Sequence, residues 1–471
     1  MRKVMDVQWV DICGVSSGLV VIVWWQYAWS LQAFLFPDDF FNFALARGFS
    51  FPGCLSAILL VKLALRPVWI GCYTIMQHLF NLNAVAYHAL TLILHVLNGL
   101  QVYVLTRQLT SSRFASLVSC SVVAYQISVV DIFGNFSNLS GMLVALFCWR
   151  VMIWYIESRG AWGWKQYATW WVFLLALGSN ESAVVLPVIL TCYELLWFSK
   201  KEGTLLGRAV KEMARRLWFY YLAAGVFFVQ QLMLQLFIHR EGSYTCVFSV
   251  QSWCNGMIFF LREWYGSWPA WLLVGLSVAA VVLAILMKNR VLMLAWCYVL
   301  VTFLPFVFLV HHLASFYWYL PQFGMALYTG QLLQSIRVRL PGNQAGSWRA
   351  RLVHGVVSIG LLSMPFSIAS WTSQSKLMHV RNYYMSLSGE YRGFIQQMRE
   401  LCSVLPSWSC LVFNQTPPLL DSRALTSLLR TVYHKDALWA FVEPDAMEPS
   451  MLLQRATIMR FDYRDGRLIS E

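Results

Sequence analysis

About eleven windows of roughly 17 to 22 apolar residues recur along this chain, each long enough at 1.5 Å rise per residue to cross about 30 Å of hydrocarbon. Inside lipid the backbone must satisfy its own hydrogen bonds, so such windows fold as helices. Their approximate limits are 12–34, 85–106, 114–133, 139–156, 166–179, 182–199, 217–238, 269–287, 291–310, 316–336 and 352–371. The rest of the composition agrees: 59% of residues are hydrophobic, 12% are charged and 23 are Trp. A mainly α, polytopic helical membrane protein is the expected fold class.

The net charge of +13 does not gather into the arm or stripe that nucleic-acid binding needs, and no nucleic-acid partner is expected. It sits in short loops between the apolar windows. Those at 107–113, 157–165, 200–216, 288–290 and 337–351 hold 16 Lys and Arg against 3 Glu, which marks them as cytoplasmic. The amino terminus is then cytoplasmic and residues 36–84 form a long first loop on the external or lumenal side. The first apolar run, with Arg2 and Lys3 before it and no small-residue cleavage site, reads as an uncleaved span.

From about residue 372 the charges become dispersed. A helix near 384–402, a strand near 409–414, a helix near 422–433, a strand near 437–442 and a hairpin across Asp465-Gly466 predict a small external α/β domain. The expected division is a transmembrane domain over 1–371, with a functional first loop at 35–84, and a soluble domain over 372–471. Of the 11 Cys, Cys54, Cys72, Cys246, Cys254, Cys402 and Cys410 fall on the outer side. An oxidising compartment would permit bridges there, and the connectivity is not readable from spacing.

The candidate functional residues lie at the ends of apolar runs. Asp38 and Asp39 stand just past the first window, where a carboxylate costs several kcal/mol near hydrocarbon unless it is paired, hydrated or used. A solvated helix cap is the competing reading at about even weight. Asp131 closes the third window, and Glu181 lies in the turn Gly178-Ser-Asn-Glu-Ser182. Lys62 and Arg66 lie in the first loop, and His311 and His312 end the ninth window on the same side. The two adjacent His diverge on a helix, so no metal site is assigned to them. His95 and Asn98 read first as polar groups bonded between helices. The sequons at Asn135, Asn138, Asn180 and Asn414 are given no function. No phosphate-binding or dinucleotide glycine motif is present, which removes nucleotide hydrolysis and dinucleotide chemistry.

Three places in order resemble the GT-C glycosyltransferases, polytopic enzymes that take sugars from polyprenyl-phosphate carriers. The likeness is to the branch of protein O-mannosyltransferases and aminoarabinose transferases. The first place is Pro37-Asp-Asp-Phe40. The second is Arg66-Pro67 with Asn83-Ala-Val-Ala-Tyr-His88 and His95-Val-Leu-Asn98, similar to R-P, Y-H and L-H-x-x-N. The third is Tyr317-Trp-Tyr-Leu-Pro321 with Gly324, similar to Y-x-Y-L-P-x-x-G. Asn180 stands where that branch has a Lys, and Phe316 where it has an Arg.

The resemblance implies a GT-C fold and a general base among the external carboxylates. That base activates an acceptor hydroxyl, which displaces polyprenyl phosphate with inversion. Asp39 is expected as the base and Asp38 as its neighbour in orienting the acceptor. Asp131 and Glu181 are expected as further acidic groups toward the acceptor, and Lys62, Arg66, His311 and His312 as donor-phosphate contacts. Implied partners are a polyprenyl-phosphate-linked sugar, a protein, lipid or glycan acceptor, and membrane lipids. No cofactor is required; a divalent metal is left open. The host membrane is a bacterial plasma membrane or the endoplasmic reticulum. A flippase of lipid-linked saccharide and an inactive scaffold subunit are the alternative functions.

Overall fold

The computed structural model describes residues 9–47, 50–59, 62, 66–158, 163–198, 206–237, 247–265, 268–308, 313–339, 348–406, 409–435, 437–442 and 457–470. In chain order the helices are α1 (Trp9–Tyr27), α2 (Pro37–Arg47), α3 (Phe51–Leu59), α4 (Pro67–Phe80), α5 (Ala84–Thr110), α6 (Arg113–Ala124), α7 (Asp131–Gly134) and α8 (Leu139–Ser158). They continue with α9 (Trp164–Leu177), α10 (Leu186–Phe198), α11 (Leu206–Phe237), α12 (Val250–Tyr265), α13 (Ala270–Leu286), α14 (Arg290–Phe303), α15 (Gln322–Arg339), α16 (Trp348–Leu401) and α17 (Ser422–Tyr433).

A helix occupies part or all of each of the eleven apolar windows. Among the described residues four helical stretches are long and apolar enough to cross a membrane: Asp11–Gln32, Ala84–Thr110, Phe136–Ser158 and Glu181–Phe198. Arg113–Ala124, Ala270–Leu286 and Arg290–Phe303 are apolar but shorter. At 1.5 Å per residue the 12 residues of α6 reach only about 18 Å. Of the eleven crossings expected from hydropathy, length and composition support four among the described residues.

Small residues set how closely the bundle packs. A Cβ on Gly324 of α15 would come within 2.7 Å of the Ala295 carbonyl oxygen in α14, and one on Gly330 within 2.5 Å of the Ala115 carbonyl oxygen in α6. Only a bare backbone permits that approach, which is how helices gain van der Waals contact where lipid supplies no hydrophobic drive. Capping fixes the turns between them. Ser112 accepts from the Ala115 N–H at 3.2 Å to start α6, and Asn289 accepts from the Val291 N–H at 3.0 Å to start α14.

The tail strands are β1 (Ser409–Phe413), β2 (Leu438–Val442), β3 (Thr457–Arg464) and β4 (Arg467–Ser470), in sheet order β2-β1-β3-β4. β1 runs parallel to both neighbours, with Leu411 between Ala440 and Met459, and β3 and β4 form an antiparallel hairpin. Asp465 and Gly466 both take positive φ, 49° and 75°, which matches the turn to the twist of the hairpin. α17 buries Leu425, Leu428, Leu429 and Val432, one stripe at helical spacing, and Asp421 caps it through the Ala424 N–H at 2.7 Å.

α16 runs 54 residues without interruption, so residue 371 falls inside one helix. Its C-terminal half lies along the start of the first loop. Ser388 Oγ accepts from the Phe34 N–H at 2.7 Å, and Arg392 donates to the Gln32 carbonyl at 2.7 Å. α17 packs on α2, where Arg47 donates to Thr431 Oγ1 at 2.7 Å. The tail thus bears directly on the helix that carries Asp38 and Asp39.

Candidate functional site

Pro37 opens α2, where its missing N–H is no loss, and Asp38 and Asp39 follow in the first turn, where negative charge complements the helix dipole. The two point apart. Asp39 is wholly buried. Its Oδ2 accepts from the Phe36 N–H at 2.8 Å and its Oδ1 from the Tyr73 hydroxyl of α4 at 2.7 Å. Tyr73 in turn accepts from Asn42 Nδ2 at 3.2 Å. Burial pushes the Asp39 carboxyl up to about 7; the Tyr73 and Phe36 hydrogen bonds pull the other way, and the charge of Asp38 adds to the rise.

Asp38 is exposed and accepts from Asn135 Nδ2 at 3.2 Å. Asn135 is itself buried, with its Oδ1 taking the Ser137 N–H at 3.0 Å, so both sides of its amide are engaged in this turn. The same turn carries Asp131, whose Oδ2 accepts from Ser315 Oγ at 2.5 Å. Beside it Glu263 of α12 pairs with Lys376 of α16 at 2.6 Å. Burial raises the Glu263 carboxyl, Lys376 lowers it and Asp131 raises it again.

Tyr384 of α16 links these groups. Its ring meets Phe36 edge-on at 5.4 Å and lies so close over Gly134 that a Cβ there would come within 2.3 Å of a ring carbon. Burial holds its phenol well above the ordinary range, with the charges of Asp131, Asp39 and Asp38 all adding. The first-loop pair and Asp131 therefore surround one side chain from the tail helix.

Arg66 and Glu181, 115 residues apart, form an ion pair of 2.5 Å at half-exposed positions. Arg66 takes a left-handed backbone (φ 50°) before Pro67, and its guanidinium also stands 5.9 Å from the Trp69 ring centroid. A Val68 N–H bond to the Gly178 carbonyl at 3.0 Å ties the same two segments. Lys62 is exposed. His311 and His312 lie outside the described residues.

The remaining motif residues meet inside the bundle. His95 Nδ1 lies 2.8 Å from the Tyr319 hydroxyl and His95 Nε2 3.3 Å from the Ala124 carbonyl. The carbonyl can only accept, which puts the ring proton on Nε2 and makes Nδ1 the acceptor from Tyr319. Asn98 Nδ2 donates to Tyr319 at 3.1 Å and to the Met142 carbonyl at 3.0 Å. All three are buried, as polar groups bonded between helices should be.

Sequence reasoning found the two acidic positions of the first loop but not Tyr73, Asn135, Ser315, Lys376 or Tyr384. Nothing in the local pattern around those five distinguishes them. Among the described residues no three His, Cys, Asp or Glu side chains gather closely enough to hold a metal ion.

No protein-family model matches the sequence, and no curated protein matches it. Solved structures do match. The apo oligosaccharyltransferase of Archaeoglobus fulgidus aligns over 92% of this chain with a TM-score of 0.53 at 9% identity, and the chain spans 64% of that protein's length. The same enzyme tethered to an acceptor peptide containing an NVT sequon aligns over 80% of this chain and 55% of that one, with a TM-score of 0.45 at 10% identity. The chain shares the fold of an oligosaccharyltransferase of the GT-C type, together with several helices apolar enough to be integral to a membrane.

Proposed function

We propose that the chain is a membrane glycosyltransferase that moves a sugar from a polyprenyl-phosphate carrier to an acceptor hydroxyl on the external or lumenal side, with inversion. The observation that carries this reading is the unlike pair on one helical turn: an exposed carboxylate at Asp38 beside a buried one at Asp39, in an oligosaccharyltransferase fold. Accessibility divides the roles. Asp38 alone of the two opens toward solvent, so the roles expected from the sequence are exchanged: Asp38, and not the buried Asp39, takes the proton from the acceptor hydroxyl, whose oxygen attacks the anomeric carbon. The bond from that carbon to phosphate oxygen breaks, and the carrier phosphate leaves with the electron pair. Asp39, held by Tyr73 and Phe36, fixes the first turn of α2 and so aims Asp38.

The leaving phosphate needs cations. Arg66 and Lys62 stand in the same loop, and Arg66 reaches a phosphate by exchanging Glu181 for it. His311 and His312 are the further candidates by sequence. Asp131, hydrogen-bonded to Ser315, would face the acceptor from the opposite wall. The purified protein, given radiolabelled sugars on polyprenyl phosphate and a panel of hydroxyl acceptors, should release free carrier phosphate in step with labelled product. Absence of transfer with every donor, together with movement of labelled lipid between leaflets, would favour a flippase instead.

A further inference from the structure

Where the first span meets the C-terminal half of α16 there is a groove of about 500 Å³ that the proposed chemistry does not use. Its walls are Trp24, Trp25, Gln26, Trp29, Tyr125 and Arg381. Two of these side chains carry buried hydrogen-bond donors with no partner: Gln26 Nε2 and Trp29 Nε1, on residues only 5% and 8% exposed. A buried donor left unmet costs about 1–3 kcal/mol, so two lining one groove mark a place made for an acceptor. Arg381 is exposed at the same groove and has no carboxylate partner among the described residues. Two N–H donors and a guanidinium, with no acidic side chain lining the groove, are the chemistry of an anion site.

The rim states what else the ligand carries. Trp24 and Trp25 are 60% and 71% exposed in the last turn of α1, within the second half of the span Asp11–Gln32, and Met378, one turn before Arg381, is 63% exposed. Aromatic side chains at the end of a span occupy the headgroup level of a bilayer, so the apolar rim continues into the acyl region. A free inorganic anion would have no use for that rim.

We propose that this groove binds the phosphodiester headgroup of one anionic phospholipid of the outer leaflet, with its acyl chains laid against Trp24, Trp25 and Met378. The headgroup oxygens accept from Gln26, Trp29 and Arg381. The site also touches the catalytic wall, because Trp29 stacks on Tyr384 at 6.4 Å and Tyr384 lies one turn beyond Arg381. A lipid here would therefore steady the part of α16 that faces Asp38 and Asp131. This inference stands apart from sugar transfer and is tested without it.

Protein reconstituted in nanodiscs of phosphatidylcholine with added phosphatidylglycerol is examined by native mass spectrometry for retained lipid. One phosphatidylglycerol should be held in preference to phosphatidylcholine. Arg381→Gln should lower that preference about tenfold or more, the usual effect of losing a bond to a charged group. Arg381→Lys should keep most of it, and Trp29→Phe, which removes only the N–H, should lower it by a smaller factor. Thermal midpoints in pure phosphatidylcholine check that each variant is folded. An unchanged preference in Arg381→Gln and Trp29→Phe overturns the assignment. So does displacement by millimolar inorganic phosphate, which would make it a plain anion site, or by a prenyl phosphate in preference to short-chain phosphatidylglycerol, which would give the groove to the sugar donor.

Discussion

The hydroxyl of Tyr73 donates a 2.7 Å hydrogen bond to Asp39, and both groups are wholly buried. A first-loop carboxylate is thereby fastened to the helix behind it, while its neighbour Asp38 remains open. Replacing each acid by its amide separates the two roles. Asp38→Asn should lower turnover by roughly 10² to 10⁴ with donor binding kept, as loss of a general base does. Asp39→Asn should cost less in turnover and more in thermal stability. If turnover instead collapses only in Asp39→Asn while its melting point is kept, Asp39 is the base and Asp38 its accessory.

The pH dependence of stability is a second test. In the folded chain Asp39 is raised to about 7 from an ordinary 3.8. Between those values the unfolded chain has lost its proton and the folded chain has not, so stability should fall as pH rises from about 4 to about 7 and level off above. Asp39→Asn has no proton to exchange and should lose this component of the slope. Melting temperatures of parent and variant in the same detergent across that range measure it directly.

How much of this was legible beforehand differs from place to place. The tail was readable almost strand for strand: the Asp465-Gly466 turn and the helix near 422–433 are local signals, and both occur as expected. The pairing of His95 and Asn98 with other helices was also readable, because polar side chains inside an apolar run have few other uses. Which acid faces outward was not. Adjacent residues on a helix diverge by about 100°, and the sequence does not say which direction holds Tyr73 and which holds Asn135. The Arg66 and Glu181 pair was hidden for the same reason: each was visible as a charged residue near the outer face, and only the fold brings segments 115 residues apart into contact.

That ion pair sets a third expectation. Both partners are half exposed, so the pair contributes at most about 1 kcal/mol to folding. Its weight falls on donor binding. Arg66→Ala should weaken the apparent affinity for the donor, and Glu181→Gln, which releases the guanidinium, should strengthen it. Donor titrations with opposite shifts in the two variants are expected; equal weakening in both would place Glu181 among the donor's own contacts.

The buried triad of His95, Asn98 and Tyr319 gives a fourth. Tyr319→Phe removes the hydroxyl that His95 and Asn98 share, leaving buried groups unmet at a cost of about 1–3 kcal/mol. Stability should fall while the turnover of the folded fraction stays near that of the parent. A variant of parental stability with lost turnover would move His95 into the chemistry.

A fifth concerns Gly134. Any side chain there meets the Tyr384 ring, so Gly134→Ala must push α16 away or distort the turn, an overpacking that costs about 1–3 kcal/mol. Limited proteolysis of the tail should be faster in this variant than in the parent, whereas Gly14→Ala, with open space around it, should behave as the parent does.

α16 has a mechanical meaning as well. At 1.5 Å per residue its 54 residues make a rod of about 80 Å, and Pro365 is its one proline. Proline cannot return the hydrogen bond to the preceding turn, so bending concentrates there. From Pro365 to Leu401 the lever arm is roughly 54 Å, and a swing of about 5° at the proline carries the far end through roughly 5 Å. That travel exceeds the reach of the Arg47 to Thr431 bond that seats α17 on α2. A hinge at Pro365 would thus be enough to unlatch the tail from the helix bearing both acids.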